Sequence, residues 1–311
     1  MYQEKRSSRS EFVPIRGLQY HVQHWGAVTA SAPDLPPLVL LHGWMDVAAS
    51  YQFMVDAFPD AFAADRRIIA PDWRGFGQTP SSAAGGQADS YWFADYLADL
   101  DFLLDHYAPG QAVDLVGHSM GGNVAMLYAG VRPARIRKLV NLEGFGLAAS
   151  QPSQAADHYA QWMDELKSLQ RGELDLKSYN EVGGVARRLM RTNPRLSPDK
   201  ADWLANHWAR PDADGKWRIL GEPAHKVPSA QLYRVDETLA IYQRISAPTL
   251  AVEASDDSIA LWWKGRFSLD EYHERLKQVP DARVAVIQDA GHMLHHDQPG
   301  KLAQLIADFL H

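Results

Sequence analysis

The sequence predicts an α/β protein in which a mostly parallel, eight-stranded sheet has helices on both faces and carries an inserted helical cap. Three observations support this prediction. Short apolar runs alternate with segments of helical periodicity along most of the chain. These runs are apolar throughout, which is typical of strands buried on both faces. The alternation stops near residue 147 and resumes near residue 248, which indicates an insertion within one sheet.

The predicted strands are short, and turn signals separate them. The first two surround a turn at Gly17, and the fourth is closed by Pro71 and Asp72. Asp89 or Ser90 is a plausible cap for the first long helix. The predicted strands are 12–15, 18–25, 37–41, 67–70, 112–116, 136–142, 248–252 and 283–287, and the predicted helices are 91–106, 123–131, 266–278 and 299–310.

The middle of the chain differs from its two ends. It is polar and bears several tryptophans, and residues 210–228 are rich in proline and glycine. We therefore predict a core formed by residues 1–146 and 245–311, with residues 147–244 as a helical cap.

Composition narrows the function classes. The net charge is −7 and no basic stripe is present, so nucleic-acid binding is not expected. The absence of cysteine excludes disulfides, thiolate metal sites and cysteine nucleophiles. The sequence contains no run of about 18 apolar residues, so no membrane span is predicted. The basic N-terminus is not followed by the apolar segment that a secretory signal requires. We expect a cytoplasmic monomer or homodimer that acts on a small molecule.

A candidate nucleophile follows the fifth predicted strand. Gly117-His118-Ser119-Met120-Gly121 matches the pattern G-x-S-x-G between a strand and a helix. Such a sharp turn strains its middle residue, needs small neighbours and holds the hydroxyl at the carboxyl end of the sheet. We therefore predict Ser119 as the nucleophile, and a glycine-rich turn with an incidental serine is the alternative. His118 is predicted to serve packing.

Two backbone amides are expected to hold the oxyanion that acyl transfer forms. Met120, directly after the nucleophile, should supply one amide. The loop after the third strand should supply the other from Trp44, where Gly43 lets the backbone approach. Taken alone, this loop is better interpreted as a strand-ending turn with a buried histidine, and it is the Ser119 motif that favours the oxyanion role. His42 and Gly43 are also predicted to contact the substrate.

His292 is the predicted general base. It follows the last predicted strand, where a loop at the carboxyl edge can bring an imidazole to Ser119. Histidine suits this role because its unperturbed pKa is near neutral pH. The chain has 13 histidines, so position must decide. The nearby His295 and His296 are predicted to solvate or cap the following helical segment.

The carboxylate that should orient the histidine has two candidates. Asp257 follows the strand 248–252, and Glu143 follows the strand 136–142. The chain order of serine, acid and histidine holds for both. We place Asp257 first and keep Glu143 as the alternative acid, with Asp256 as a third candidate.

Together these residues resemble the α/β-hydrolase fold family, in the branch with a helical cap after the sixth strand. The likeness covers nearly the whole chain from about residue 12. Residues 72–79 resemble the family's D-x-R-G-x-G-x-[ST] turn, and residues 41–50 are most similar to serine hydrolase-like members. The resemblance implies a carboxylesterase-like serine hydrolase with Ser119 and His292 in its triad.

Two departures from the family pattern bear on function. Ala254 stands where the family often has the glycine of G-x-x-D, which weakens the case for Asp257. In related haloalkane dehalogenases the acid can instead follow the sixth strand, where Glu143 falls. Those enzymes and epoxide hydrolases use an aspartate nucleophile, so the serine at position 119 argues against both activities.

The predicted cap suggests the substrate. Trp162 and Trp208 lie within it and are predicted to line an apolar pocket, although either can instead hold the cap to the core. We predict a small to medium apolar ester, without cofactor or metal, because no metal-ligand cluster or phosphate loop is evident. The alternatives are cleavage of a carbon–carbon, amide, lactone or thioester bond by the same triad, and a catalytically silent ligand receptor.

Overall fold

The computed structural model describes residues 2–26, 35–82 and 88–311. Its strands are β1 (Arg9–Ile15), β2 (Leu18–Gly26), β3 (Leu38–Leu41), β4 (Arg67–Pro71), β5 (Val113–His118), β6 (Ile136–Leu142), β7 (Ser178–Tyr179), β8 (Ala209–Pro211), β9 (Trp217–Ile219), β10 (Thr249–Ala254) and β11 (Ala282–Ile287).

The predicted eight-stranded sheet is confirmed, with the strand order β1-β2-β4-β3-β5-β6-β10-β11. Strand β2 is antiparallel to both of its neighbours, β1 and β4, and every other pairing in this sheet is parallel. Since parallel strands end at the same edge, the loops after β3, β5, β6, β10 and β11 meet there. Leu142, for example, pairs with both His118 and Val252. This edge carries the predicted site residues.

The α-helices are α1 (Gln52–Ala57), α2 (Asp60–Ala63), α3 (Phe93–Tyr107), α4 (Met120–Val131), α5 (Ala155–Gln170), α6 (Val182–Thr192), α7 (Pro198–Trp208), α8 (Val235–Tyr242), α9 (Ser258–Trp263), α10 (Leu269–Leu276), α11 (Leu294–Asp297) and α12 (Pro299–Leu310). The expected cap of α3 at Asp89 or Ser90 is wrong, because the helix begins after Trp92 without a side-chain cap.

The alternation of side chains along the strands builds two apolar layers. In β3, Val39 and Leu41 face the layer that includes α3, α4, α8 and α10. Leu38 and Leu40 face the opposite layer with α1 and α12. All four side chains are buried, and each contributes roughly 1.5–3 kcal/mol by leaving water. Apolar strand runs therefore produce a rigid sheet whose edge positions the loops.

The inserted region contains strands as well as helices. Strands β7, β9 and β8 form a small antiparallel sheet, in that order. Helices α6 and α7 pack around Val185 and Leu204, and this cluster extends to Phe53 of α1 in the core. The expectation of a purely helical cap was incomplete because the strands have only two or three residues each, too short for a pattern of alternation.

The division at residues 146 and 245 stays a prediction. Helix α8 lies inside the predicted cap range, yet Tyr242 belongs to the core layer on α4. A Cβ on Gly130 of α4 would overlap the carbonyl of Ile241, so the two helices lie in close contact. These contacts favour a cap that ends before α8.

Within the described ranges, the helices all lack the combination of length and apolar character that crossing a membrane requires.

Candidate active site

Ser119 occupies a strained turn between β5 and α4. Its backbone has φ 53° and ψ −116°, a conformation that residues with a side chain rarely adopt. A Cβ on Gly117 would overlap the carbonyl of Gly121, and a Cβ on Gly121 would overlap the carbonyl of Leu41. The two motif glycines therefore let the turn close against β3. The Ser119 amide donates to the carbonyl of Leu142 at 2.8 Å, which fixes the turn to β6.

The loop after β3 lies directly against this turn. A Cβ on Gly43 would come within 3.1 Å of the Ser119 Cβ, so the missing side chain allows the loop to approach Ser119. Met120 is the first residue of α4, where a helix leaves its amides without an internal partner. In the part of the chain that the structure describes, neither the Met120 amide nor the Trp44 amide donates to a protein acceptor. The Trp44 side chain is about half exposed, and its indole nitrogen donates to the His225 carbonyl at 3.1 Å.

His42 does not face a substrate, which corrects its predicted binding role. The Trp73 amide donates to its Nε2 at 2.9 Å, so the ring proton sits on Nδ1, which donates to the Gly43 carbonyl at 2.8 Å. The side chain is fully buried. His42 thus ties the loop after β3 to the loop after β4, which is the strand-ending turn with a buried histidine that the sequence also allowed.

His292 lies beside the turn that carries Ser119. His118 holds it there, because its Nε2 donates to the His292 carbonyl at 2.8 Å and the two rings lie 4.6 Å apart. His118 is completely buried, so it packs as predicted. Its contact with the His292 carbonyl could not be predicted, since nothing in the pattern G-x-S-x-G shows which way its second residue points.

Glu143 is the carboxylate in contact with His292. Its Oε2 lies 3.2 Å from the His292 Nδ1, and its Oε1 accepts a hydrogen bond from the Ala254 amide at 2.7 Å. The side chain is 1% exposed, against 19% for His292. Glu143 has a left-handed backbone, with φ 55°. This strained position turns the carboxylate toward the end of β10 and the histidine loop.

Comparison with known proteins agrees with this architecture. A family model described as alpha/beta hydrolase fold matches residues 36–299. The chain belongs to the α/β-hydrolase fold family. The serine hydrolase-like protein of Danio rerio is 24% identical over 98% of this chain and 89% of its own length. The AB hydrolase superfamily protein YfhM of Bacillus subtilis is 25% identical over 97% of this chain and 98% of its own length.

Solved structures show the same fold. The thioesterase domain from the curacin biosynthetic pathway superposes with a TM-score of 0.78 and 24% identity, and the match covers 97% of this chain and 99% of that domain. E-2-(acetamidomethylene)succinate hydrolase superposes with a TM-score of 0.72 and 19% identity over 98% of this chain and 99% of the other. At these identities the likeness establishes the α/β-hydrolase fold alone.

In this α/β hydrolase, Asp257 is not in contact with the histidine, contrary to our first choice of acid. Its side chain is exposed and accepts the Ala260 amide at 2.8 Å, which caps the start of α9. Asp256 forms a bidentate pair with Arg195 at 2.7 and 3.1 Å. Both aspartates lie beyond the end of β10, where the chain has turned toward solvent.

Burial sets the protonation of the pair. Burial lowers the pKa of the His292 imidazole to about 3, so the ring is neutral at pH 7 and able to accept a proton. Burial also raises the pKa of the Glu143 carboxyl to about 7, although the donated Ala254 amide opposes that rise. Above about pH 7, Glu143 is therefore a nearly dry carboxylate beside a neutral imidazole, an arrangement suited to stabilising an imidazolium.

Trp262 covers the exposed side of His292. The two rings meet edge to face, with centroids 4.1 Å apart, and Trp262 itself is 45% exposed. Together with the exposed Trp44 it presents apolar surface to solvent at this edge. Trp262 was not among the predicted site residues, and its position shortly after Asp257 was the one signal in the sequence.

The two cap tryptophans chosen as substrate contacts differ from that expectation. Trp208 is 8% exposed and donates its indole hydrogen to the Asp46 Oδ1 at 3.0 Å, so it joins the cap to the loop after β3. Trp162 is half-buried on α5, and within the described ranges no ring contact or hydrogen bond links it to Ser119 or His292. Trp208 is thus a packing residue, and the pocket role of Trp162 stays a prediction.

Proposed function

We propose that this α/β hydrolase cleaves a small to medium, apolar carboxylic ester through a Ser119 acyl-enzyme, with His292 as general base and Glu143 as the triad acid. The observation that supports this most directly is the 3.2 Å contact between the His292 Nδ1 and the Glu143 Oε2. It leaves the Nε2 of His292 available for the serine, and His118 holds the histidine loop beside the nucleophile turn.

The proposed reaction has two halves. The Ser119 Oγ bonds to the ester carbon while its proton passes to the His292 Nε2. The amides of Trp44 and Met120 stabilise the oxyanion. The intermediate then collapses, the bond between carbon and the alcohol oxygen breaks, and His292 returns the proton to the departing alcohol. Water next attacks the acyl-enzyme with His292 again as base, which releases the acid and restores Ser119.

Exposed apolar side chains favour an apolar acyl group. Trp44, in the loop after β3, is 52% exposed, and Trp262, in α9 against the His292 ring, is 45% exposed. Leu261, next to Trp262, is 72% exposed. Contact with an apolar group would remove these surfaces from water, which is favourable by about 25 cal/mol per Å². A charged or strongly polar acyl group would gain nothing from them.

The test is turnover of p-nitrophenyl esters of increasing chain length by the wild type and by Ser119→Ala. We expect the substitution to lower kcat by at least about 10⁴-fold, because it removes the group that forms the acyl-enzyme. Ser153→Ala is the matched control, since Ser153 is an exposed serine of the cap region. A fluorophosphonate probe should label the wild type and the control but not Ser119→Ala.

Two outcomes would contradict this proposal. Unchanged turnover in Ser119→Ala would place the chemistry elsewhere. A wild type that neither hydrolyses any ester nor reacts with the probe would favour the silent receptor. If the probe labels Ser119 while esters are not cleaved, a substrate panel of amides, lactones and thioesters is the next comparison.

A further inference from the structure

A buried group of polar side chains lies beneath the nucleophile turn and is not used in the proposed reaction. Asp46 comes from the loop after β3, His118 from the end of β5 and His295 from α11. All three are at most 4% exposed. One candidate ligand atom from each lies within 4.8 Å of the other two. Three separate parts of the chain therefore direct polar atoms into one interior space.

Each member of this group has an atom without a hydrogen-bond partner. Within the described part of the chain, the unpartnered atoms are the Oδ2 of Asp46 and the Nδ1 atoms of His118 and His295. An unsatisfied buried polar atom costs about 1–3 kcal/mol. Three residues of one buried group that each carry such an atom call for an explanation, and a bound ion is one that would serve all three side chains.

The tautomer of His118 suits metal binding. Its Nε2 lies 2.8 Å from the His292 carbonyl, and a carbonyl oxygen only accepts, so the Nε2 carries the proton. In a neutral ring the Nδ1 then has a free lone pair. Metal-ligating histidines commonly donate their other ring hydrogen to a backbone carbonyl in this way. A Cβ on Gly43 would come within 3.0 Å of this Nδ1, so the absent side chain leaves the lone pair uncovered.

No basic side chain among the described residues lies within hydrogen-bond distance of the Asp46 carboxylate to compensate its charge directly. Its Oδ1 accepts the Trp208 indole hydrogen, while the nearest basic atom to its Oδ2 is the His295 Nε2 at 3.9 Å. No lysine or arginine among the described residues forms an ion pair with it. A buried carboxylate is stable when a cation or a proton compensates its charge. A divalent ion would compensate this charge and accept the lone pair of the His118 Nδ1 together.

We propose that Asp46, His118 and His295 bind one divalent transition-metal ion of the Zn²⁺ type. Two imidazoles and a carboxylate are ligands that Zn²⁺ prefers, and three protein ligands leave a fourth position for water. Ligand atoms lie about 2.0–2.2 Å from Zn²⁺ and hence about 3.3 Å apart in a tetrahedral site. Binding therefore draws the three atoms together by small side-chain rotations.

The position of this ion would connect it to the proposed active site. His118 would bind the ion with its Nδ1 and hold the His292 carbonyl with its Nε2. His295 follows His292 by three residues, so the ion would fasten both ends of the histidine loop to the nucleophile turn. Its expected role is to stiffen this edge of the sheet, which raises the thermal stability of the folded protein.

The experiment measures metal binding directly and does not depend on catalysis. Chelator-treated wild type is titrated with Zn²⁺ by calorimetry and with Co²⁺ by visible absorption. We expect one ion per chain, the intense visible bands of four-coordinate Co²⁺, and a higher Tm with Zn²⁺. Ser119→Ala should bind identically, so a failed hydrolase proposal leaves this result intact.

Substitutions of the proposed ligands test whether the ion binds at this position. Asp46→Asn, which keeps an acceptor for Trp208, and His295→Gln should each weaken Zn²⁺ binding at least about 100-fold. His106→Gln is the matched control, because His106 is an exposed histidine on α3, and it should bind as the wild type does. Circular dichroism of each metal-free variant checks that it is folded. If both variants fail to fold, anomalous diffraction from a Zn²⁺-soaked wild-type crystal decides.

The proposal is overturned by any of three results. A metal-free wild type that takes up no Zn²⁺ and no Co²⁺ in the titrations would be one, as would Asp46→Asn and His295→Gln variants that retain wild-type affinity. A crystal in which a water molecule bridges Asp46, His118 and His295 in the presence of saturating Zn²⁺ would assign the space to solvent.

Discussion

Two neighbouring loops of this protein each carry a carboxylate that could interact with His292, but only one of them contacts the histidine. Glu143 directly follows β6, has a side chain that is 1% exposed, and contacts both the His292 ring and the Ala254 amide. Asp257 lies beyond β10, is exposed and caps α9. The strands are adjacent and parallel, so both loops reach the same edge. Their difference teaches that burial and a second hydrogen bond, rather than the strand end alone, distinguish the carboxylate that contacts His292.

The backbone explains the difference. Glu143 is the first residue after its strand, and its φ of 55° turns the side chain back over the sheet edge. Its amide donates to the Val252 carbonyl at 3.0 Å, which anchors the turn to β10. Asp257 comes three residues after Ala254, where the chain has already left the sheet. An early, strained turn therefore buries a carboxylate, and a later one exposes it.

Among the substitutions that test this difference between the two loops, Glu143→Gln should lower the activity most. The amide keeps the size of the carboxylate but cannot stabilise an imidazolium, so we expect kcat on a p-nitrophenyl ester to fall about 10³–10⁴-fold. Steady-state kinetics at pH 8 is the measurement, with Asp257→Asn measured beside it. Loss of activity in Asp257→Asn with little change in Glu143→Gln would reverse our assignment.

The second-largest effect should be on the pH dependence of kcat/KM, which we expect to reflect the ionisation of Glu143. Because burial raises the pKa of its carboxyl to about 7, the charged form that supports His292 prevails only above that pH. We expect kcat/KM of the wild type to rise as pH increases through about 7 and to fall roughly tenfold per pH unit below it. Profiles from pH 5 to about 9 would show this limb. It should be missing in Glu143→Gln and unchanged in Asp257→Asn. A wild-type profile that stays flat down to pH 5 would contradict the role of a raised carboxyl pKa.

Much of the fold followed from sequence because its signals are local. The strand over residues 136–142 and the helix over residues 299–310 were predicted with their observed bounds, since runs of apolar residues and prolines mark their ends. Helix α1 was not predicted, although three of its residues are buried apolar side chains, because six residues are too few for a helical period.

The site was predictable only in part for a different reason. The spacing of glycines predicts the turn around Ser119. The orientation of Glu143 depends on its positive φ angle, which its amino-acid type does not predict. His295 and His296 were expected at the surface, yet both are buried, and the Nε2 of His296 lies 2.6 Å from the Ser50 Oγ. Such contacts join positions about 245 residues apart, and a single sequence carries no record of them.

Asp257→Asn should affect stability rather than catalysis. The substitution weakens the cap of α9 but keeps an oxygen that accepts the Ala260 amide, so we expect a loss of no more than about 1 kcal/mol. Asp257→Ala removes the acceptor and should cost about 0.5–2 kcal/mol. Urea unfolding at pH 7 measures both, with kcat expected within about twofold of wild type. A large fall in kcat that tracks the loss of stability across the two variants would join this loop to the chemistry.

The smallest effect is expected at Asp256, which connects the same loop to the inserted region through Arg195. The two side chains are 52% and 41% exposed, so water screens the pair and its contribution should be about 0.2–1 kcal/mol. A double-mutant cycle of Asp256→Asn and Arg195→Gln would measure that energy by urea unfolding. Raising the salt concentration from 0.05 to about 1 M should reduce it, because the Debye length shortens to about 3 Å. A coupling above about 2 kcal/mol that persists in high salt would mean that the exposed loop is held as firmly as the Glu143 turn, and the contrast between the two loops would then rest on catalysis alone.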